Sequence, residues 1–270
     1  MAKIKSFPIK NLKVDYANSE DVFILFTALN ALGYNDENNK SGMFWIRKKI
    51  RKELFKKDWA KEYPKLKRFF KNYHQWHLLN KLLLGNKKSI PNFNAFSNEP
   101  IIKELWKDYK NHQLNETKKL YPLFKQETGG LIKFIGNSKI SVKKMVILFN
   151  PLDAYWRGYS FKIKNYGYIV VGPGADKNQN QLIRHELLHI LAPKLTIPSR
   201  FITVQDIKRL FPSGYNNKSV ISHEYIIRAL NLLYDKEVLK RNISKGIKKE
   251  EKNFPHIRKV IKFLKNGLPL

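Results

Sequence analysis

The chain lacks cysteine, has few acidic side chains and contains no long apolar run. Without cysteine, its 270 residues have neither a disulfide framework nor a thiolate metal site. The longest apolar stretch, residues 22–32, is about half the length of the roughly 20 residues that a membrane-spanning helix needs. Residues 1–20 contain no continuous apolar segment, so we expect no signal peptide and a cytoplasmic location.

Acidic residues are scarce relative to basic ones: 22 Asp and Glu stand against 52 Lys and Arg, a formal net charge of +30. This excess makes nucleic acid or another anionic partner a candidate, because basic side chains release counterions from phosphates. Only 10 of the 52 basic residues are arginine, although arginine makes the bidentate contacts to phosphate and guanine. The lysines are also spread along the chain, so we interpret most of them as solvated helix faces.

Hydrophobic residues make up 43% of the chain, which is enough to bury a core. Apolar residues recur at helical spacing in many segments, and the predicted helices are 21–33, 46–55, 63–84, 101–120, 180–191, 219–240 and 255–267. Pro122 is expected to end the fourth of these, and Ser219 or Ser222 to cap the sixth. The predicted strands are 145–149, 159–164 and 168–171, with a turn at 165–167.

The sequence His185-Glu186-Leu187-Leu188-His189 places two histidines four residues apart in a predicted helix. Residues at this spacing share one face of a helix, so both imidazoles can reach one metal ion. Glu186 lies about 100° around the helix from His185, next to that face, where it can contact a water on the metal. Neutral imidazoles with an oxygen ligand suit Zn²⁺, which makes water a nucleophile at neutral pH.

Apolar residues surround this motif, which predicts a buried helix whose polar side chains need partners. A metal ion provides a partner for both histidines and the glutamate. The alternative interpretation is a helix whose histidines are paired by hydrogen bonds alone.

A zinc enzyme needs a third protein ligand, and the candidates after the motif are Asp206, His223, Glu224 and Asp235. Glu224 is the best placed, because it lies near the start of a predicted long helix. Arg228 and Asn231 follow it at i+4 and i+7, on the face where supporting contacts form. His223 is the rival ligand. The candidate donors to a reacting oxyanion are His223, Tyr225, Tyr215 and Arg228.

The HExxH helix with a downstream glutamate on a second helix resembles the gluzincin branch of the zincin metallopeptidases. Residues 168–229 are also similar to uncharacterised bacterial proteins described as predicted zinc peptidases, and the resemblance covers about residues 141–240. The gap from His189 to Glu224 is 35 residues. His223 stands where some gluzincins have asparagine before the glutamate. Regulatory metallopeptidases that cleave repressors in the bacterial cytoplasm share this layout.

The resemblance implies that His185, His189 and Glu224 hold one zinc ion per chain, with water as the fourth ligand. It implies that Glu186 takes the proton of the attacking water and passes it to the leaving nitrogen. His223 or Tyr225 would stabilise the oxyanion together with zinc. The implied partner is a peptide or protein substrate, which can pair with a sheet edge near residues 159–171.

We therefore expect an α+β, mainly helical, zincin-like fold with a small antiparallel or mixed sheet beside the HExxH helix. Residues 1–130 are expected to form a helical N-terminal region, either separate or integral to the catalytic unit. Residues 131–270 are expected to form the zincin-like domain. Its sheet and motif helix would occupy 131–195, and a helical subdomain with the third ligand would occupy 196–270.

Two other functions stay open at this point. One is a zincin-like domain that binds metal without catalysis, and the other is a basic nucleic-acid-associated protein whose motif is accidental. For a peptidase, the charge of +30 predicts that acidic substrates are favoured at low salt.

Overall fold

The computed structural model describes residues 12–34, 43–136, 142–176, 179–192, 195–211 and 217–267. The chain forms two compact units, one made of Met1–Lys125 and Val142–Ile183 and the other of Gln126–Ser141 and Arg184–Leu270. The fold is α+β and mostly helical, with a small mixed sheet, as the sequence predicted. The boundary expected near residue 130 stays a prediction.

Seven helices are described from the first half of the chain: α1 Glu20–Ala31, α2 Trp45–Leu54, α3 Trp59–Glu62, α4 Pro64–Asn72, α5 Gln75–Leu83, α6 Phe93–Ser97 and α7 Pro100–Ile135. Helix α1 begins at Ser19, whose hydroxyl accepts a hydrogen bond from the Val22 N–H at 3.2 Å. The predicted helix 63–84 is wrong as a single element. It is broken at Tyr73, which is extended, and His74 then caps α5 by accepting from the Trp76 N–H at 3.2 Å.

Four strands are described, β1 Lys13–Tyr16, β2 Lys144–Phe149, β3 Gly158–Ile163 and β4 Tyr166–Val171, in the order β1-β2-β4-β3. Strands β1, β2 and β4 are parallel, while β3 runs antiparallel to β4. The three predicted strands are confirmed within two residues, and β1 was not predicted. The turn between β3 and β4 is tighter than expected: Tyr166 already pairs with Ile163, and Lys164 adopts a φ of 53°.

The prediction that a helix stops before Pro122 is wrong, because α7 continues through this residue. A proline inside a helix costs about 3 kcal/mol through a lost hydrogen bond and a steric clash. Leu120 and Phe124 on either side of Pro122 are buried, so core packing on both flanks holds the helix together.

The later helices are α8 Gln179–Leu191, α9 Val204–Leu210, α10 Lys218–Glu237, α11 Ser244–Glu251 and α12 Ile257–Gly267. Helix α10 packs against α9, α11 and α12. It is capped by Asn217, whose side chain accepts from the Val220 N–H at 3.0 Å. The expected caps, Ser219 and Ser222, lie inside the helix, so the cap prediction was wrong by two residues or more.

Within the part of the chain that the structure describes, no helix combines the length and the apolar character that a membrane crossing requires.

Candidate metal centre

Helix α8 carries both histidines of the HExxH motif one turn apart. Their rings meet edge to face at 4.8 Å between centroids, and their Nε2 atoms lie 3.2 Å apart. The side chains of His185 and His189 are 17% and 21% exposed, whereas Leu187 and Leu188 are fully buried. The apolar residues therefore anchor α8 and leave both imidazoles at a point that solvent can reach.

Glu224 reaches the two histidines from α10. Its Oε1 atom lies 3.3 Å from the Nε2 of His185, and its Oε2 atom lies 3.5 Å from the Nε2 of His189. The glutamate side chain is only 5% exposed. We call His185, His189 and Glu224 the metal cluster, since among the described residues they form the group of three ligand-type side chains close enough to hold one ion.

The separations in the metal cluster are close to those around a bound zinc ion. Zinc binds histidine nitrogen and carboxylate oxygen at about 2.0–2.2 Å, and a tetrahedron with such bonds has edges of about 3.3–3.6 Å. The two imidazole nitrogens lie 3.2 Å apart, and each faces a different oxygen of Glu224, at 3.3 and 3.5 Å. The donor set of two imidazoles and one carboxylate also suits zinc, and three protein ligands leave one tetrahedral position open.

Burial and mutual charge set the protonation of the metal cluster. Burial lowers the pKa of His189 to about 3, and the charge of His185 acts in the same direction. Burial alone would lower the pKa of His185, but the nearby Glu224 carboxylate outweighs it and the pKa is raised. Burial would raise the pKa of Glu224, but the charges of His185 and Arg228 hold it well below its usual range. These shifts favour the Glu224 anion and the neutral His189 imidazole, the forms that bind a metal, whereas the raised pKa of His185 means that it would release a proton on binding.

His223, the rival ligand, lies beside the metal cluster but outside it. Its ring centroid is 5.1 Å from that of His189, and the residue is exposed on α10. The surrounding protein partly shields the ring from water, which lowers the pKa of His223. The group of side chains that lie close enough together to hold one ion therefore includes Glu224 and does not include His223.

Glu186 is 7% exposed and follows His185 directly on α8. One residue along a helix corresponds to a rotation of about 100°, so Glu186 projects from the flank of the histidine face. Its role as the general base stays a prediction.

Tyr225 is fully buried, and its contacts lie away from the metal cluster. Its ring packs edge-on against Phe254 at 5.0 Å, and its hydroxyl accepts from the His256 N–H at 3.4 Å. Burial raises the pKa of Tyr225 to about 12. The structure does not bring Tyr225 to the site as an oxyanion donor, because the core packing of α10 directs its ring elsewhere. Tyr215, another candidate donor, lies outside the described residues.

Asp206 holds the start of α9 in place of binding metal. It forms a capping box with Thr203, accepting from the Thr203 N–H at 2.8 Å, while its own N–H donates to the Thr203 hydroxyl at 3.1 Å. Its second oxygen pairs with Arg209 at 2.6 Å. A carboxylate occupied in this way is a helix cap and is not part of the metal cluster.

Asp235, the last candidate ligand, belongs to a second buried group centred on Arg184, which the sequence interpretation missed. Arg184 is fully buried and donates to Glu127 at 2.8 Å, to Asp235 at 2.6 Å and to Asn231 at 3.2 Å. Its guanidinium also lies 4.6 Å from the centroid of the Tyr234 ring. We call Arg184, Glu127, Asn231 and Asp235 the Arg184 cluster. An arginine directly after the apolar residues Leu182 and Ile183 of α8 was the available signal, because a buried charge requires partners.

Comparison of the chain with protein-family models, with curated proteins and with solved structures finds no match. The interpretation of the site therefore depends on its own geometry and chemistry.

Proposed function

We propose that the chain is a zinc-dependent peptidase with a zincin-like fold. The convergence of His185, His189 and Glu224 at separations of 3.2 to 3.5 Å is the observation that carries this proposal. The motif spacing explains two of these ligands, and the packing of α10 supplies the third. Arg228 already balances the charge of the Glu224 carboxylate, and the two imidazoles that face this carboxylate complete a donor set that suits zinc.

Zinc, when bound, lowers the pKa of a coordinated water toward about 7 and polarises the substrate carbonyl. In the proposed reaction Glu186 would take the proton of a water molecule as the oxygen of that water attacks the carbonyl carbon. Glu186 then gives the proton to the leaving nitrogen as the carbon–nitrogen bond breaks, which yields a carboxylate and an amine.

His223 is the best remaining donor to the developing oxyanion. Its exposed ring lies beside His189, whereas the hydroxyl of Tyr225 contacts the His256 backbone. Arg228 is less suited, because its guanidinium contacts two carboxylates, Glu224 and Glu250. In this proposal His223 donates a hydrogen bond to the substrate oxygen and does not hold the metal.

Metal content and peptide cleavage test the proposal together. The purified protein is expected to carry about one zinc ion per chain and to cleave members of a diverse peptide library. His185→Ala is expected to lose the metal. Glu186→Gln is expected to keep the metal and to lose about 10²–10⁴-fold in cleavage rate, the usual contribution of a general base. His77→Ala, which changes an exposed histidine of α5, is the matched control and should retain both properties.

Two results would point to the other functions. Stoichiometric zinc without cleavage of any peptide would indicate a metal-binding domain that is not catalytic. Absence of bound metal, together with tight salt-sensitive DNA binding, would indicate that the protein binds nucleic acid through its charge of +30 and that the HExxH motif is accidental.

A further inference from the structure

Arg228 makes contacts that tie the glutamate of the metal cluster to a neighbouring helix. On α10 it follows Glu224 by four residues, and its Nε atom lies 2.7 Å from Glu224 Oε1 as an ion pair, without the alignment of a hydrogen bond. Its Nη1 atom donates to Glu250 Oε2 on α11 at 2.7 Å. One guanidinium thus touches a predicted metal ligand and a carboxylate of the adjacent helix.

A third contact fixes the plane of this guanidinium. The Arg228 guanidinium carbon lies 4.5 Å from the centroid of the Phe254 ring, and Phe254 is 1% exposed. The guanidinium is a rigid, planar fork, so an ion pair on each side and a ring beneath leave it little freedom. The Arg228 side chain is 24% exposed, which makes these contacts stronger than those of a fully solvated pair.

The arrangement also balances charge. Arg228 would add one positive charge beside a zinc ion, which by itself weakens the binding of a cation. Glu250 cancels that charge, so the Arg228–Glu250 pair orients Glu224 without changing the net charge near the metal. An orienting group with no net charge is what a metal ligand needs from its supporting contacts.

We propose that Arg228, held by Glu250 and Phe254, is a positioning residue that fixes the orientation of the Glu224 carboxylate toward the two imidazoles. This inference rests on the proposed zinc site. The guanidinium pairs with Glu224 Oε1, the oxygen that lies 3.3 Å from His185, while Oε2 lies 3.5 Å from His189. A carboxylate held in this orientation would meet a metal ion without reorganising, whereas a free one would adopt other coordination geometries.

Cobalt substitution tests this inference independently of peptidase activity, because the visible absorption of Co²⁺ is strong in four-coordinate sites and weak in five- or six-coordinate ones. The Co²⁺-loaded wild-type protein is expected to show the strong bands. Arg228→Gln is expected to weaken them and to lower zinc affinity by about 10–100-fold, as loss of a supporting contact does. Arg228→Lys keeps the charge but cannot reach both carboxylates and stack on Phe254, so it should show the same change in a smaller degree.

Arg258→Gln is the matched control. Arg258 lies on α12 and pairs with Glu251, which is on α11 as Glu250 is, but Arg258 does not touch the metal cluster. Its Co²⁺ spectrum and zinc affinity should equal those of the wild type. The inference is overturned if folded Arg228→Gln keeps the wild-type spectrum and zinc affinity. It is also overturned if Arg228→Lys keeps both, because the positive charge of residue 228, and not its shape, would then be what matters. If Arg228→Gln fails to fold by circular dichroism, Arg228→Lys decides. A wild-type protein that binds no Co²⁺ would instead refute the proposed zinc site itself.

Discussion

Two polar clusters lie side by side on α8, and they differ in burial and in how their donors and acceptors are paired. Arg184 and His185 are adjacent residues, yet the first is fully buried and the second is partly exposed. In the Arg184 cluster a single donor group faces three acceptors, which occupy its Nε and Nη1 atoms and leave Nη2 without a hydrogen-bond partner. In the metal cluster the nitrogen and oxygen atoms face one another at 3.2 to 3.5 Å.

We propose that this difference separates a structural group from a functional one. A cluster that pairs donors with acceptors stabilises the fold by itself and needs no ligand. In our proposal the metal cluster, whose imidazole nitrogens and carboxylate oxygens face one another, is complete only with a metal ion. The Arg184 cluster should therefore govern stability, and the metal cluster should govern metal binding and chemistry.

Removing the arginine is the strongest way to test this division. Arg184→Met would leave the buried carboxylate of Glu127 without its cation and Asp235 with only Arg241, 3.6 Å away, and we expect a loss of about 3–5 kcal/mol in the free energy of unfolding. Urea denaturation measures this change. Arg258→Met, in which an exposed ion pair with Glu251 is broken, should leave stability nearly unchanged.

If Arg184→Met were as stable as the wild type, the Arg184 cluster would not govern stability, and the division between the two clusters would be refuted. The comparison would become sharper if the variant were folded but had lost its metal, since the Arg184 cluster would then also position the ligands on α8 and α10.

Zinc should stabilise the protein through the metal cluster alone. A ligand that binds only the folded state at one hundred times its dissociation constant raises the free energy of unfolding by about 2.7 kcal/mol. Thermal unfolding with and without zinc measures this increase, which should vanish in His189→Ala. Magnesium serves as the control ion, because it prefers an oxygen-rich octahedral site. An equal stabilisation of His189→Ala by zinc would show that the ion binds elsewhere.

Gly130→Ala tests how closely the Arg184 cluster is packed. A methyl group at residue 130 of α7 would collide with the hydroxyl of Tyr234, the ring that lies against Arg184. Alanine favours a helix over glycine by about 1 kcal/mol, but the overpacking should outweigh this gain and cost about 1–3 kcal/mol net. In a Tyr234→Phe background, which removes the hydroxyl, the same substitution should cost less. A stabilised Gly130→Ala protein would contradict the tight packing described here.

Local patterns in the sequence predicted much of the fold. The apolar periodicity located α1, α2 and α8, and the strands β2, β3 and β4 stand within two residues of their predicted bounds. These elements are set by neighbours a few residues away, which a sequence pattern records directly.

The failures have tertiary causes. Strand β1 is four residues long, and its partner β2 is about 130 residues away, paired through Val14 and Met145. Nothing in its own sequence distinguishes such a short segment from a loop. Pro122 remains inside α7 because buried neighbours on both sides outweigh a local preference to stop.

The sequence likewise predicted only part of the metal cluster. The spacing of His185 and His189 alone determined that their imidazoles share a face, because a helix repeats every 3.6 residues. The sequence also pointed to Glu224, but it left His223 open as the third ligand. Only the packing of α10 turned Glu224 toward both imidazoles, because the rotation of a helix about its axis is set by which of its faces is buried. The same packing placed Arg228 against Glu224 and Arg184 against its acidic partners, contacts that join residues too distant along the chain for any local pattern to predict.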